Sequence, residues 1–339
     1  MDIDIEQPDA LRAWLIKTGR VKPDVALQIR TLAGGVSNKT VRVEFGPDKA
    51  WVLKQALEKL RVAVDWFSDP ARIEREALGM RWLQDLAPEG AITELIFEDR
   101  EAHVLAMAAV REPHENLKNI FMTGRADQDL AWKFGELLGN IHRRGWEART
   151  ELAPIFENRA YFESLRVEPY YQYTAAQVPA AASFITALIA EMLAHRLALV
   201  HGDYSPKNIL VYESNLILLD HEVIHYGDPA FDVGFALAHL LSKAHHFKKS
   251  RRKFESAAQT FHTAYRDALG PVPWAAEADA RGARHTLGCL LARVKGRSTL
   301  EYLSEAEREE QSRVTVELMQ TPPATVAALI PAFVSKLSR

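Results

Sequence analysis

The sequence predicts an α+β chain in two lobes, a small β-rich amino-terminal lobe and a large, mainly helical carboxy-terminal lobe. Three observations predict it. The 339 residues are enough for a sizeable core and suggest one large domain or two lobes. Short segments of strand character cluster before residue 110. From Asp129 onward most of the chain carries apolar residues at helical spacing. The change near Val110 gives the expected division, residues 1–110 for the first lobe and 111–339 for the second, with a hinge between them.

The elements follow in order. Residues 9–17 read as a short helix, and 25–32, 40–45 and 51–55 as strands. Asp69-Pro70 opens a helix to about residue 86, with Pro70 suited to its first turn. Its apolar residues Ile73, Ala77, Met80 and Leu83 recur at helical spacing. Strands are expected around 93–97 and 103–107, and residues 111–124 read as a polar loop. Helices are expected over 129–144, 158–165, 179–196, 229–241, 255–269, 274–294, 305–319 and 323–337. A strand–loop–strand patch at 197–220 interrupts them.

Composition narrows the function classes. A net charge of -3 gives no reason to expect a nucleic-acid partner or an anionic membrane surface. The longest apolar run, 104–110, is far too short to span a bilayer. The single cysteine, Cys289, excludes an intrachain disulfide framework and a zinc site built on several thiolates. The acidic amino terminus has no signal-peptide core, so a cytoplasmic location is expected.

The patch at 197–220 carries the chemistry. Asp203 and Asn208 lie five residues apart in a loop after an apolar strand, and Asp220 closes a second apolar strand. Two strands joined by a turn at 213–215 would bring Asp203, Asn208 and Asp220 to one edge. Carboxylate and amide oxygens are the hard ligands that magnesium takes, alongside waters and phosphates. Phosphoryl transfer needs such a set: phosphates held, their charge neutralised, and an acceptor hydroxyl placed in line beside a carboxylate. An isolated Asp-x-x-x-x-Asn is otherwise a loop-capping turn.

The run from Leu199-Val200-His201-Gly202-Asp203 through Asn208-Ile209-Leu210 is followed by Leu219-Asp220-His221-Glu222 and Gly227-Asp228-Pro229-Ala230-Phe231-Asp232. It resembles the aminoglycoside phosphotransferase and choline kinase family. The resemblance implies a two-lobed protein-kinase-like fold, Asp203 as catalytic base, and Asn208 and Asp220 as Mg2+ ligands. Protein kinases proper have His-Arg-Asp and Asp-Phe-Gly where this chain has His201-Gly202-Asp203 and Asp220-His221-Glu222. No Ala-Pro-Glu segment follows, which points to a small-molecule hydroxyl acceptor.

The first third supplies an expected ATP half. Gly34 and Gly35, with Ser37 and Asn38, sit between two strands and resemble the family's phosphate loop; adjacent glycines let backbone N–H groups approach an anion. Lys54 ends an apolar strand and suits the α- and β-phosphates. Its ion-pair partner is expected in the next helix, where Glu76 matches the family position and Glu74 is the fallback. By resemblance, backbone groups around Met107 to Ala109 hold the adenine.

Other residues are weighed beside these. His201 reads as structural, and Asp232 as a brace for the catalytic loop through backbone N–H groups. Lys207 precedes Asn208 and could stabilise charge on the transferred phosphoryl group. Arg293, Lys295 and Arg297 belong to a basic stretch, 281–301, broken at Gly296. Residues 293–303, with 165–170, resemble a subgroup near methylthioribose kinase. Arginine forks suit carboxylates and phosphates, although a charge run is also a common solvated face.

The expected function is therefore transfer of the ATP γ-phosphate to a sugar, polyol or amino-alcohol, by a monomer or homodimer. An aminoglycoside antibiotic is the alternative acceptor, but a polycation calls for carboxylates in its site. Two readings of other classes stand beside it: a catalytically inactive nucleotide-binding module, and a metal-dependent hydrolase using His201, Asp203, Asp220 and His221.

Overall fold

The structure is a computed structural model that describes residues 3–32, 35–46, 49–62 and 65–338. Helix α1 (Pro8–Lys17) precedes strands β1 (Gln28–Thr31), β2 (Asn38–Glu44) and β3 (Ala50–Ala56). Helix α2 (Arg72–Leu86) then leads to β4 (Leu95–Asp99) and β5 (Val104–Ala108). The five strands form one antiparallel sheet in the order β1-β2-β3-β5-β4.

Strand alternation decides how this sheet is covered, since successive side chains point to opposite faces. Leu53, Val104 and Ala106 pack with Val41 and Val43 against Leu11, Trp14 and Leu15 of α1. Leu105 and Met107 project the other way, onto Ile73, Ala77 and Met80 of α2. The helical spacing of those three residues is what fixes α2 to the sheet.

Residues 111–124 are not the expected loop. They contain a two-residue strand β6 (Glu115–Asn116) and a six-residue helix α3 (Leu117–Met122). Strand β6 pairs with β8 (Ile209–Tyr212) in the strand–loop–strand patch. Asn116 caps α3, its side chain accepting from Lys118 N at 3.0 Å. Both elements are too short to show a periodic pattern.

Helices α4 (Gln128–Glu147), α5 (Arg149–Ile155) and α6 (Ala160–Phe162) follow. The helix expected over 158–165 is only its first part. It opens into a wide-turned π-helix, Glu163–Gln172, with Pro169 inside, and then α7 (Tyr173–Gln177). Proline donates no N–H and crowds the preceding turn, and a widened turn accommodates it.

The remainder is α8 (Pro179–Ala194), β7 (Ala198–Val200), β8, β9 (Asn215–Leu218), β10 (His225–Gly227), α9 (Ala230–His246), α10 (Arg251–Leu269), α11 (Ala275–Lys295), α12 (Glu305–Gln320) and α13 (Val326–Lys336). Its core is one continuous apolar cluster. Helices α4 and α10 meet through Gly135 and Gly139, one turn apart. A Cβ at Gly135 would lie 2.1 Å from the Phe261 carbonyl oxygen, and one at Gly139 2.5 Å from that of Tyr265. No helix among the described residues is long and apolar enough to cross a membrane.

Candidate active site

The loop after β7 is shaped before it is charged. Gly202 has φ +77°, a left-handed conformation that suits glycine. In it the Gly202 N–H donates to Asp232 Oδ1 at 2.8 Å, and the His201 N–H to Asp232 Oδ2 at 2.7 Å. Asp232, fully buried in the first turn of α9, therefore braces this loop as the sequence suggests. The His201 ring is also occupied structurally. One nitrogen accepts from Asp203 N at 3.2 Å, and the other lies 3.2 Å from the Leu219 carbonyl oxygen. It has no free nitrogen for zinc, which removes the hydrolase reading's first ligand.

Asp203 is 1% exposed. Its Oδ2 accepts from Asn208 Nδ2 at 2.7 Å and pairs with Arg166 Nη2 at 2.9 Å and Lys207 Nζ at 3.0 Å. Its Oδ1 is buried without a partner. Burial alone would raise this carboxyl's pKa; Arg166 and Lys207 outweigh it and hold the group below the usual carboxylate range. Asp203 thus stays ionised and keeps one oxygen for a ligand.

The β8–β9 hairpin delivers the next carboxylate. Glu213 and Ser214, both at positive φ, make the two-residue turn between strands that such backbones favour. Leu219 N then donates to the Asn208 carbonyl at 2.9 Å, so Asp220 follows directly beside Asn208, the juxtaposition the strand lengths predict. Asp220 Oδ1 meets Lys54 Nζ at 2.8 Å. Lys54 also meets Glu76 Oε1 at 2.7 Å. Glu76 is fully buried, whereas the fallback Glu74 pairs with Arg100 at 3.6 Å.

The three groups perturb each other. Burial works against the Lys54 charge, but Asp220 and Glu76 raise its pKa well above the ordinary value. Burial, then Asp220 and Glu222, raises Glu76 to about 7 despite Lys54. Asp220 is depressed: burial opposes ionisation, and Lys54 and Lys207 overcome it.

Two residues that the sequence reading left without a role complete this corner. Arg72, fully buried at the start of α2, donates to Glu222 Oε2 at 3.1 Å, to the Ser68 and Asp69 carbonyls at 3.0 and 3.1 Å, to Leu57 O at 2.8 Å, and to Ser37 O. It ties the segment after Gly35 to α2 and to the segment after Asp220. Glu222 also accepts from Asn38 Nδ2 at 3.2 Å. Glu76, Asp220 and Glu222 each present an oxygen within 4.8 Å of the others. The sequence signal for Glu222 was its place two residues after Asp220; Arg72 had none beyond a charge in an apolar helix face.

Asp220 and Glu222 open onto a cleft of about 680 Å³. Gly35, Ser37, Asn38, Lys54 and Met107 lie on its sheet side, and Asp203, Lys207, Asn208 and Asp220 on the other. Gly34 lies outside the described residues. Ala109 does not belong to the cleft wall, contrary to expectation; Ala108 and Val110 do. Its N–H is committed to the end of the β3–β5 ladder, donating to Ala50 O at 2.9 Å.

The basic stretch resolves unevenly. Arg281 pairs with Asp228 at 2.7 Å in the buried interior, and Arg284 with Glu191 at 2.7 Å nearer the surface. Lys295 is not in the cleft, against expectation, because it turns to Glu309 on α12. Arg297 lines the cleft and pairs with Glu168 at 2.7 Å. Arg293 also lines it, donating to Tyr170 Oη and Ser298 Oγ at 3.0 Å each. The π-helix places Arg166 and Tyr170 on this same wall.

The family model described as "Phosphotransferase enzyme family" (APH) matches residues 28–272. Methylthioribose kinase 2 of Oryza sativa subsp. japonica is 25% identical over 243 residues, 64% of this chain and 56% of the relative. The chain therefore spans little more than half the length of that curated relative. Among solved structures, choline kinase LicA from Streptococcus pneumoniae aligns with a TM-score of 0.52 at 16% identity, covering 92% of this chain and 98% of that one. An amicoumacin kinase solved with AMP-PNP and Ca2+ aligns with a TM-score of 0.58 at 14% identity, covering 92% and 94%. At these identities the likeness is one of fold. The family match runs from β1 past the end of α10, through every residue of the Lys54–Asp203–Asp220 corner, and the chain belongs to the APH phosphotransferase enzyme family.

Proposed function

We propose that this protein transfers the γ-phosphoryl group of ATP to a hydroxyl of a small molecule. The observation that carries the reading is the single buried oxygen left without a partner on an otherwise fully engaged Asp203, a residue that lines the same cleft as Lys54 and Asp220.

The donor set supports a divalent cation. Asp220 and Glu222 offer carboxylate oxygens, and Asn208, whose amide nitrogen is held by Asp203, leaves its oxygen for a ligand. Such all-oxygen sets suit Mg2+. The cation, when bound, neutralises charge on the β- and γ-phosphates.

The remaining work belongs to the chain. Lys54, fixed by Glu76, is placed for the α- and β-phosphates. Asp203 Oδ1 accepts the hydrogen bond of the acceptor hydroxyl and orients its oxygen toward the γ-phosphorus. That oxygen forms the new P–O bond as the bond to the ADP oxygen breaks, and the hydroxyl proton passes to Asp203. A depressed pKa makes Asp203 a weak base, which suits a loose transition state in which the proton leaves late. Lys207, 3.0 Å from Asp203 Oδ2, supplies positive charge beside the transferring group.

The acceptor is a sugar, polyol or amino-alcohol. A polycationic antibiotic fits less well, since Arg166, Lys207, Arg293 and Arg297 line the side of the cleft beyond Asp203. The test is ADP release from Mg-ATP across neutral, acidic and aminoglycoside acceptors. Nucleotide binding with no transfer to any acceptor hydroxyl would instead favour an inactive nucleotide-binding module.

A further inference from the structure

Among the described residues, Arg293 is 7% exposed and makes no ion pair. Its bonds go to neutral groups, Tyr170 Oη, Ser298 Oγ and Ser298 O, and its Nε is buried without a partner. Every other arginine of the 281–301 stretch has a carboxylate. A buried guanidinium without an anion is unfavourable, because the charge has left water with no counter-charge to replace it.

The surroundings repeat the pattern. His239 is 6% exposed, lines the cleft, and has its Nε2 buried without a partner. Tyr302 lines the cleft with a buried, unpartnered hydroxyl. One turn beyond His239 on α9, Lys243 is fully buried; its ammonium donates only to His239 O at 3.3 Å and stands 5.3 Å from the Tyr302 ring centroid. Lys118, on the same wall, is already taken by Glu301.

We infer that the acceptor of the proposed phosphotransfer carries an anionic group, a carboxylate or a phosphate monoester, which docks on Arg293 with His239 and Tyr302 beside it and Lys243 behind. Its phosphorylated hydroxyl lies at the Asp203 end. Tyr170 spans the two, with the Arg166 guanidinium 5.8 Å and the Arg293 guanidinium 5.6 Å from its ring centroid. This arrangement gives Arg293 the counter-charge that the chain withholds. It also supports a distinction between acids and neutral or cationic alcohols, since an uncharged acceptor leaves the buried Arg293 guanidinium unpaired. The inference rests on the kinase reading for its acceptor hydroxyl, but the anion site stands on its own residues.

The test separates the two. Calorimetry on the full chain, with and without Mg-AMP-PNP, measures binding of gluconate, glucose 6-phosphate, inorganic phosphate, glucose and choline. At least one anion is expected to bind while glucose and choline do not, and gluconate against glucose 6-phosphate decides carboxylate or phosphate. Arg293→Gln is expected to weaken the anion at least roughly tenfold and to leave the affinity for Mg-AMP-PNP unchanged. Arg293→Lys, which keeps the charge, and Tyr302→Phe serve if the glutamine variant does not fold; the first should retain part of the affinity. Lys295→Gln, outside the cleft, should change nothing. Glucose or choline binding as well as the anions, no anion binding to a chain that binds nucleotide, or an Arg293→Gln variant with intact anion affinity each overturns the inference. Anion binding without nucleotide binding would sink the kinase reading and leave the anion site standing.

Discussion

Lys54 Nζ lies 2.8 Å from Asp220 Oδ1, joining residues 166 positions apart in the chain. The same ammonium reaches Glu76 at 2.7 Å. One cation thus links the sheet, helix α2 and the end of the β8–β9 hairpin. Lys54→Met should lower kcat/KM by roughly 10²–10³, with the KM for ATP rising. Steady-state kinetics with varied ATP checks this; a change confined to the acceptor KM would contradict it.

Lys207 is half-exposed, with its ammonium 3.0 Å from Asp203. If it stabilises the transferring phosphoryl group, Lys207→Ala should lower kcat at least roughly tenfold with little change in either KM. Unchanged turnover would reduce Lys207 to a surface lysine. Lys207→Arg should recover part of the loss.

Lys243 predicts a pH-dependent stability. Burial, then the charges of Lys118 and Arg293, lower its pKa from 10.5 to about 7, against Glu301; His239 and Tyr302, also packed there, stay uncharged in this range. Between about 10.5 and about 7 the unfolded chain binds the proton and the folded chain does not. Stability from this group is therefore greatest above the unfolded value and falls as pH drops toward 7. Lys243→Met removes the dependence. The variant should be more stable than the native chain at pH 7, with the margin shrinking toward pH 9.5. Urea unfolding at both pH values measures it, and a constant margin would contradict the account.

The α4–α10 contact predicts a packing cost. A Cβ at Gly135 would meet the Phe261 carbonyl at 2.1 Å, so the helices must separate. Gly135→Ala should destabilise by about 1–3 kcal/mol, read as a lower denaturation midpoint with an unchanged slope. An unaffected midpoint would mean that the helices separate freely.

Much of the fold was legible because periodicity reports burial. Ile73, Ala77 and Met80 announce α2, and the unbroken apolar run from Val104 to Met107 announces a strand covered on both faces. The Asp203–Asn208–Asp220 convergence was legible because strand lengths and a short turn near 213–215 fix it. Helix α3 and the π-helix were not, being too short or too distorted by Pro169 to show a period. Arg72 and Glu222 stayed hidden because their roles depend on partners distant in sequence. The basic stretch was visible as charge, but only the fold shows that Asp228, Glu191, Glu309 and Glu168 claim its other members and leave Arg293 without a carboxylate.

The central claim is that the bare Oδ1 of Asp203 orients an acceptor hydroxyl toward ATP. The most direct measurement is acceptor-dependent ADP release from Mg-ATP by the native chain and by Asp203→Asn, with nucleotide affinity measured on both. The account predicts that kcat falls by roughly 10²–10⁴ in the variant while the affinity for Mg-ATP is kept. Asp203→Asn turning over at the native rate would contradict it.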